Sequence, residues 1–478
     1  MHKNLRKVWT WLIAASMAVS VTACSGVSAT GGAESGAAPA SSAAAAEASA
    51  DTVAAAGSEA SGAETGAAGS KEITLPAVGD ELFGFQVTDI TPYPQKNAQL
   101  VSLDHLKSGA EVLYFACGDT DKAVNVYYRT EAESDQGIPH VFEHITLSGS
   151  GKYPNSDLFD VISAKTYNTY MNAGTYQQMT GYNMASLSED QLLAIMDYYM
   201  DGLTDPLALR DEHPLKRESF RYELEDPEDD ITVTGAVFNE MEAANAVMDR
   251  FAREMTAKTL YPESTMSFNS GGYRDDILTI TMDELRTFYE KHYHPSNMLI
   301  TLYGDLDLSR FLEKLDRDYL SRYDKKEITI EDRKYVPWTG ERTETYIYPV
   351  TKDTSEENGS IVSFAVSLGD ISAYDLELLD IVGSLLTAES SVLKQKMIEA
   401  FPSSVFSVNM RNDIRLPVMS FELRDAAKGD AEKFRQILQD AVDERGAFGD
   451  RASETPGSSG LGFCKLQRVR GSKCGRGI

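Results

Sequence analysis

From Glu72 onward, apolar residues fall into two repeating patterns. Short runs rich in β-branched and aromatic residues, AEVLYFAC and AVNVYYRT, flank the turn-forming GDTDK and predict two strands. NTYMNAG and MTGYNMAS alternate in the same way, and MLITLYGDLD reads as a further strand. Other stretches carry a helical period. SDLFDVISAKT is amphipathic, and SEDQLLAIMDYYMDGLTDPL is helical with Ser188 capping an acidic first turn. ITMDELRTFYEKHYHPSN predicts a helix stopped by Pro295. The clearest stripe lies in TGAVFNEMEAANAVMDRFAREMTAKTLY, where Val237, Met241, Ala244, Met248, Phe251 and Met255 recur at steps of three and four and predict one continuous helix. Glu240 sits on the edge of that stripe. Its carboxylate is expected to be partly desolvated, with a cation or a donor beside it.

Near residue 325 a shortened version of this order begins again. ETYIYPV and GSIVSFAVSL predict strands, YDLELLDIVGSLLTAESSVLKQKMIEA a helix, VMSFELR a strand and AEKFRQILQDAVDERG a helix. The expected fold class is α+β: two related units, residues 72–320 and 325–450, each a mixed, mostly antiparallel sheet with helices packed on it. A chain of 478 residues is long enough for two such cores.

The first residues change the picture of where the protein acts. MHKNLRK is basic, VWTWLIAASMAVSV is apolar, and VTAC closes the run with small residues before Cys24. As a helix the apolar run would reach roughly 21 Å, short of a hydrocarbon core of about 30 Å. Residues 1–23 therefore read as a removable signal peptide. Val21-Thr22-Ala23-Cys24 resembles a bacterial lipoprotein box, which implies lipidation at Cys24 and a protein exported to the cell envelope and anchored to a membrane. Residues 24–71 are almost wholly Ala, Gly, Ser, Glu and Thr and predict a flexible tether. Cys117, alone in LYFACGD, reads as a small buried hydrophobe. A formal charge of −28 argues against nucleic acid as a partner.

The chemistry concentrates in GIPHVFEHITL, where His140, Glu143 and His144 stand within five positions of a chain with seven histidines. On a helix these positions share one face. Two histidines one turn apart are a recurrent zinc ligand pair, and an acid beside them can take a proton from water. The order H-x-x-E-H is the inverted form of the commoner zinc-peptidase motif. Ile138, Val141, Phe142, Ile145 and Leu147 surround the trio, so its polar atoms need partners. Spacing alone leaves Glu218, Glu223, Glu240 and Glu242 open as a third ligand. His292 and His294 are not expected to hold a second metal, because HYHPSN alternates its side chains at a helix end without a third ligand nearby.

GIPHVFEH, SGSGKYPNSD, YMNAGT, FNEMEA and YEKHYHPSNMLITLYGD together resemble the pitrilysin and insulysin peptidases, most closely their presequence-protease branch, from about residue 78 to 450. The resemblance implies the fold of a pitrilysin-type peptidase half and one Zn²⁺ per chain. It implies His140, His144 and Glu240 as ligands and Glu143 as the general base. It also implies hydrolysis of short unfolded peptides bound by strand addition at YMNAG, with Asn172 and Ala173 offering backbone groups. Single-chain members of the family carry a C-terminal half whose Arg and Tyr help hold the substrate. That half is expected as a partner, in cis or in trans. The alternative is a family member acting as a peptide-binding or structural subunit. The resemblance ends at ERGAFGD, and residues 451–478, basic after an acidic body, read as the product of a frameshift.

Overall fold

Alternation of apolar and polar residues also begins at Phe85, upstream of the strands picked out above, and this region folds as strands as well. The computed structural model describes residues 75–329, 340–350, 358–446 and 460–470. The expected signal peptide, Cys24 and the tether lie outside the described residues. The chain runs β1 (Glu81–Leu82), β2 (Phe85–Tyr93), β3 (Ala98–His105), β4 (Glu111–Ala116), β5 (Lys122–Arg129), α1 (Ile138–Thr146) and α2 (Leu158–Lys165). Next come β6 (Asn168–Thr175), β7 (Met179–Ser186), α3 (Glu189–Thr204), α4 (His213–Glu218), β8 (Arg221–Glu223), β9 (Thr232–Thr234) and α5 (Ala236–Asn245). α6 (Met248–Leu260), α7 (Arg274–Ile277), α8 (Met282–His292), β10 (Met298–Tyr303) and α9 (Leu308–Asp318) follow. The last elements are β11 (Gly340–Val350), β12 (Asn358–Ser367), α10 (Ala373–Thr387), α11 (Val392–Ala400), β13 (Val405–Arg411), β14 (Val418–Ala427), α12 (Asp430–Gly446) and β15 (Gly460–Arg470).

Contacts divide the described chain into two units, one of residues 75–242 and 270–329, the other of Ala243–Asn269 with the described residues beyond 339. Ala243–Asn269, expected inside the 72–320 domain, thus groups with the second sheet. The first unit is built on an eight-stranded sheet in the order β1-β2-β3-β4-β10-β5-β7-β6. β10 runs parallel to β4 and antiparallel to β5, which makes the sheet mixed and mostly antiparallel. Val124, Val126, Ile300 and Leu302 on its central strands are wholly buried, as strands covered by helices require. β6 lies at one edge, paired only with β7. Ser188 caps α3 as expected, its hydroxyl accepting from the Gln191 N–H at 3.5 Å. Cys117 is a buried free thiol.

The second unit has a five-stranded sheet in the order β11-β15-β12-β14-β13. Its core gathers Val362 of β12, Leu393 and Met397 of α11, Leu423 of β14 and Phe434 of α12. β15 comes from the tail read as foreign to the family, and it pairs with β11 in parallel and β12 in antiparallel register. No helix among the described residues is long and apolar enough to cross a membrane.

Two predicted helices are each divided. The stripe from Val237 to Met255 breaks at Ala246–Val247, where Val247 is extended (φ −81°, ψ 119°) and starts α6. Val237, Phe238 and Met241 are buried on α5, and α6 packs on the second sheet. The first part of the stripe is thus buried in the first unit and the second part against the second unit's sheet. YDLELLDIVGSLLTAESSVLKQKMIEA likewise forms α10 and α11, because the Ser391 hydroxyl accepts from the Lys394 N–H and caps a new helix.

Candidate metal centre

Local sequence sets the pose of α1. Gly137 precedes it with φ +74°, and a Cβ at that position would lie 2.4 Å from the carbonyl oxygen of Gly271. Only glycine combines the left-handed backbone with so close an approach. Pro139 pre-organises the first turn. Val141, Phe142 and Ile145 are buried, with Phe142 packing 4.6 Å from the Tyr293 ring and 5.7 Å from that of Phe288. This anchored face leaves His140, Glu143 and His144 together on the other. The two imidazoles meet edge to face, 4.9 Å between centroids.

α5 brings Glu240 to them. Its Oε1 lies 3.7 Å from His140 Nε2 and its Oε2 3.7 Å from His144 Nε2. One ligand atom from each of the three residues can be chosen so that all lie within 4.8 Å of one another, the one such group among the described residues. Two neutral imidazole nitrogens and a carboxylate oxygen are the donor set of a His₂Glu zinc site, and these residues fit that ion. The glutamates that spacing left open are used elsewhere. Glu223 pairs with Arg221 at 2.6 Å, Glu242 with Arg274 at 3.0 Å, and Glu218 meets His144 from the far side of its ring.

The electrostatics follow from burial and close neighbours. Burial raises the pKa of Glu143, partly offset by the charge of His144 and by the Thr175 hydroxyl, which donates to Glu143 Oε2 at 2.9 Å, while Glu240 adds to the rise. Burial disfavours the charged form of His144, but its hydrogen bond to Glu218 and the carboxylates of Glu143, Glu218 and Glu240 outweigh that and push its pKa up to about 9. For Glu218, burial is outweighed by His144, Ser148 and Arg217, and its pKa is lowered.

Asn172 and Ala173 lie on edge strand β6, opposite Asn183 and Tyr182 of β7. Their backbone groups are engaged within the unit. The Ala173 N–H donates to the side-chain oxygen of Asn172 at 2.9 Å, and the Asn172 carbonyl accepts from the Tyr199 hydroxyl at 3.2 Å. Thr175, at the end of the same strand, ties that edge to Glu143. No local sequence signal marks Thr175. His292 and His294 stay apart from the site. His292 Nδ1 faces the Arg129 carbonyl at 2.9 Å, and His294 Nδ1 accepts from the Ser296 N–H at 3.1 Å.

Comparison with known proteins places this fold. Residues 124–262 match the family model "Insulinase (Peptidase family M16)", and residues 279–445 match "Peptidase M16 inactive domain". The chain is 28% identical over 361 residues to "Protein HypA" of Clostridium perfringens, covering 75% of this chain and 37% of that protein. It is 30% identical over 378 residues to the mitochondrial presequence protease of Xenopus laevis, covering 77% and 36%. A crystal structure of pitrilysin superposes with a TM-score of 0.54 at 18% identity, covering 79% of this chain and 41% of that one. A protease from Helicobacter pylori gives a TM-score of 0.55 at 18% identity, covering 74% and 81%. The fold is thus that of the pitrilysin-type peptidases, and the chain belongs to the insulinase family of peptidases. Within the family it falls in the presequence-protease branch. The matched region spans little more than a third of the curated relatives' length.

Proposed function

We propose that this chain is the metal-binding part of a zinc endopeptidase that hydrolyses short unfolded peptides. The observation that carries the reading is the convergence of His140, His144 and Glu240 beside a buried carboxylate, Glu143, that belongs to none of the ligand pairs. His140 and His144 would hold Zn²⁺ through Nε2, and Glu240 through its carboxylate. Bound there, zinc supplies Lewis acidity to water and to a scissile carbonyl. Glu143 takes the proton of the attacking water and returns it to the leaving amine. Its raised pKa suits a group that must both accept and release a proton. Thr175 occupies Oε2 of Glu143, which leaves Oε1 to do the transfer.

An extended peptide adding to β6 would lie along the strand that Thr175 fixes to the base. For this the Asn172 side chain must swing off the Ala173 N–H. Preorganised donors for the developing oxyanion are proposed to come from a C-terminal half, in cis or in trans. Lack of one such donor typically lowers turnover a hundred- to a thousandfold. On the strength of the N-terminal sequence alone, the place of action is proposed to be the cell envelope, through lipid at Cys24. Cys24→Ser should release the protein from membranes or block its processing, and normal cleavage with retained membrane binding would end that reading.

The test combines metal analysis with hydrolysis of a quenched fluorescent peptide, for the full chain alone and with the C-terminal half of a relative supplied as a second chain. One equivalent of zinc, slow cleavage by the chain alone and faster cleavage with the second half are expected. A chain that binds no zinc, or a Glu143→Gln variant as active as the parent, overturns the proposal.

A further inference from the structure

His144 presents two nitrogens to two different carboxylates. Nε2 faces Glu240 at 3.7 Å, while Nδ1 lies 3.3 Å from Glu218 Oε2. A neutral imidazole carries one N–H and one free lone pair, so the group that accepts a hydrogen bond from the N–H decides which nitrogen can bind a metal. Glu218 is only 6% exposed and sits at the last residue of α4. It is itself held in place: Ser148 Oγ donates to its Oε1 at 2.8 Å, and Arg217 Nε lies 3.2 Å from the same oxygen. Arg217 is tethered in turn by Asp157 at 2.6 Å. His140 is treated differently, its Nδ1 facing a backbone carbonyl, that of Gly271, at 3.4 Å.

Resting on the metal-site reading above, we propose that Glu218 is a positioning residue: its Oε2 accepts a hydrogen bond from the Nδ1–H of His144, fixes the ring so that Nε2 points at the metal position, and makes His144 the more strongly donating of the two histidine ligands. A carboxylate behind a ligand imidazole raises its basicity more than a neutral carbonyl does, and loss of such a partner typically weakens metal binding about ten- to a hundredfold. The competing account is that Glu218 merely closes an ion pair with the half-exposed Arg217. The two accounts separate on the bench, because Arg217→Gln removes the ion pair and keeps the carboxylate.

The experiment measures the zinc affinity of the full chain by chelator competition for the parent, Glu218→Gln, Glu218→Ala and Arg217→Gln, with thermal unfolding of each metal-free protein. Weakening of about tenfold for Glu218→Gln and up to a hundredfold for Glu218→Ala is expected, with Arg217→Gln within about threefold of the parent. Glu218 variants that fold and bind zinc as the parent does overturn the inference while leaving the metal site standing. Equal weakening by Arg217→Gln also overturns it. A parent that binds no zinc removes the site and the inference together. A second measurement needs no variant: long-range ¹⁵N–¹H correlation of the zinc-loaded parent should place the His144 proton on Nδ1. A proton on Nε2 overturns the assignment.

Discussion

Each unit buries a glutamate whose pKa burial raises, and the two differ in what surrounds them. Glu422, in the middle of β14, accepts from Ser420 at 3.1 Å and has Arg424 at 3.8 Å. Glu143, on α1, has His144 and Glu240 as charged neighbours and Thr175 on one oxygen. The described residues of the second unit contain no histidine, and the one candidate metal-ligand group among the described residues is that of His140, His144 and Glu240. A perturbed carboxylate marks a site only when its neighbours supply chemistry, and this pair shows the limit of reading function from pKa alone. Similar layers of sheet and helix carry a candidate metal centre in one unit and none among the described residues of the other.

Exchanging the two glutamates for glutamine tests this contrast most directly. Glu143→Gln should cut peptide hydrolysis about a hundred- to ten-thousandfold while zinc content stays at the parent level. Glu422→Gln should leave both within about twofold. A loss of hydrolysis in the second variant as large as in the first would break the comparison.

Metal and core can be separated in the same way. His144→Ala removes a ligand outright and should weaken zinc binding more than the roughly hundredfold typical of losing a supporting partner. Met397→Ala, in the second unit's core and 1% exposed, should cost about 2–5 kcal/mol in denaturant unfolding and leave zinc affinity unchanged.

His292 gives the first unit a pH signature unconnected with metal. Burial lowers its pKa from 6.5 to about 4 despite the hydrogen bond to the Arg129 carbonyl. The unfolded chain takes up this proton at higher pH than the folded one does. The stabilisation is therefore complete above about pH 6.5 and is lost as pH falls towards 4, a change of up to about 3 kcal/mol. His292→Gln should flatten unfolding free energy across that window, and an unaltered slope would show that another group carries it.

Thr175→Val should have the smallest effect. Loss of one hydrogen bond to Glu143, worth about 1 kcal/mol, should slow hydrolysis roughly fivefold with zinc affinity intact. A larger fall accompanied by metal loss would mean that Thr175 supports the ligands rather than the base.

The placement of His140, Glu143 and His144 on one face followed from helical period alone, because the three lie within a single turn and their relation depends only on local backbone. The Ser188 cap and the α+β class were legible for the same reason: caps, alternation and stripes are properties of near neighbours in the chain. The break at Val247 was not, since the apolar period continues across it. Nor were the partners of the site. Glu218 lies 74 residues from His144, and Thr175 lies 32 residues from Glu143. Among Glu218, Glu223, Glu240 and Glu242, periodicity showed only that Glu240 edges a buried stripe; family resemblance singled it out. The reason it faces both Nε2 atoms while Glu218 faces the opposite nitrogen is the packing of α5 and α4 around α1, a relation between distant segments that no local pattern encodes.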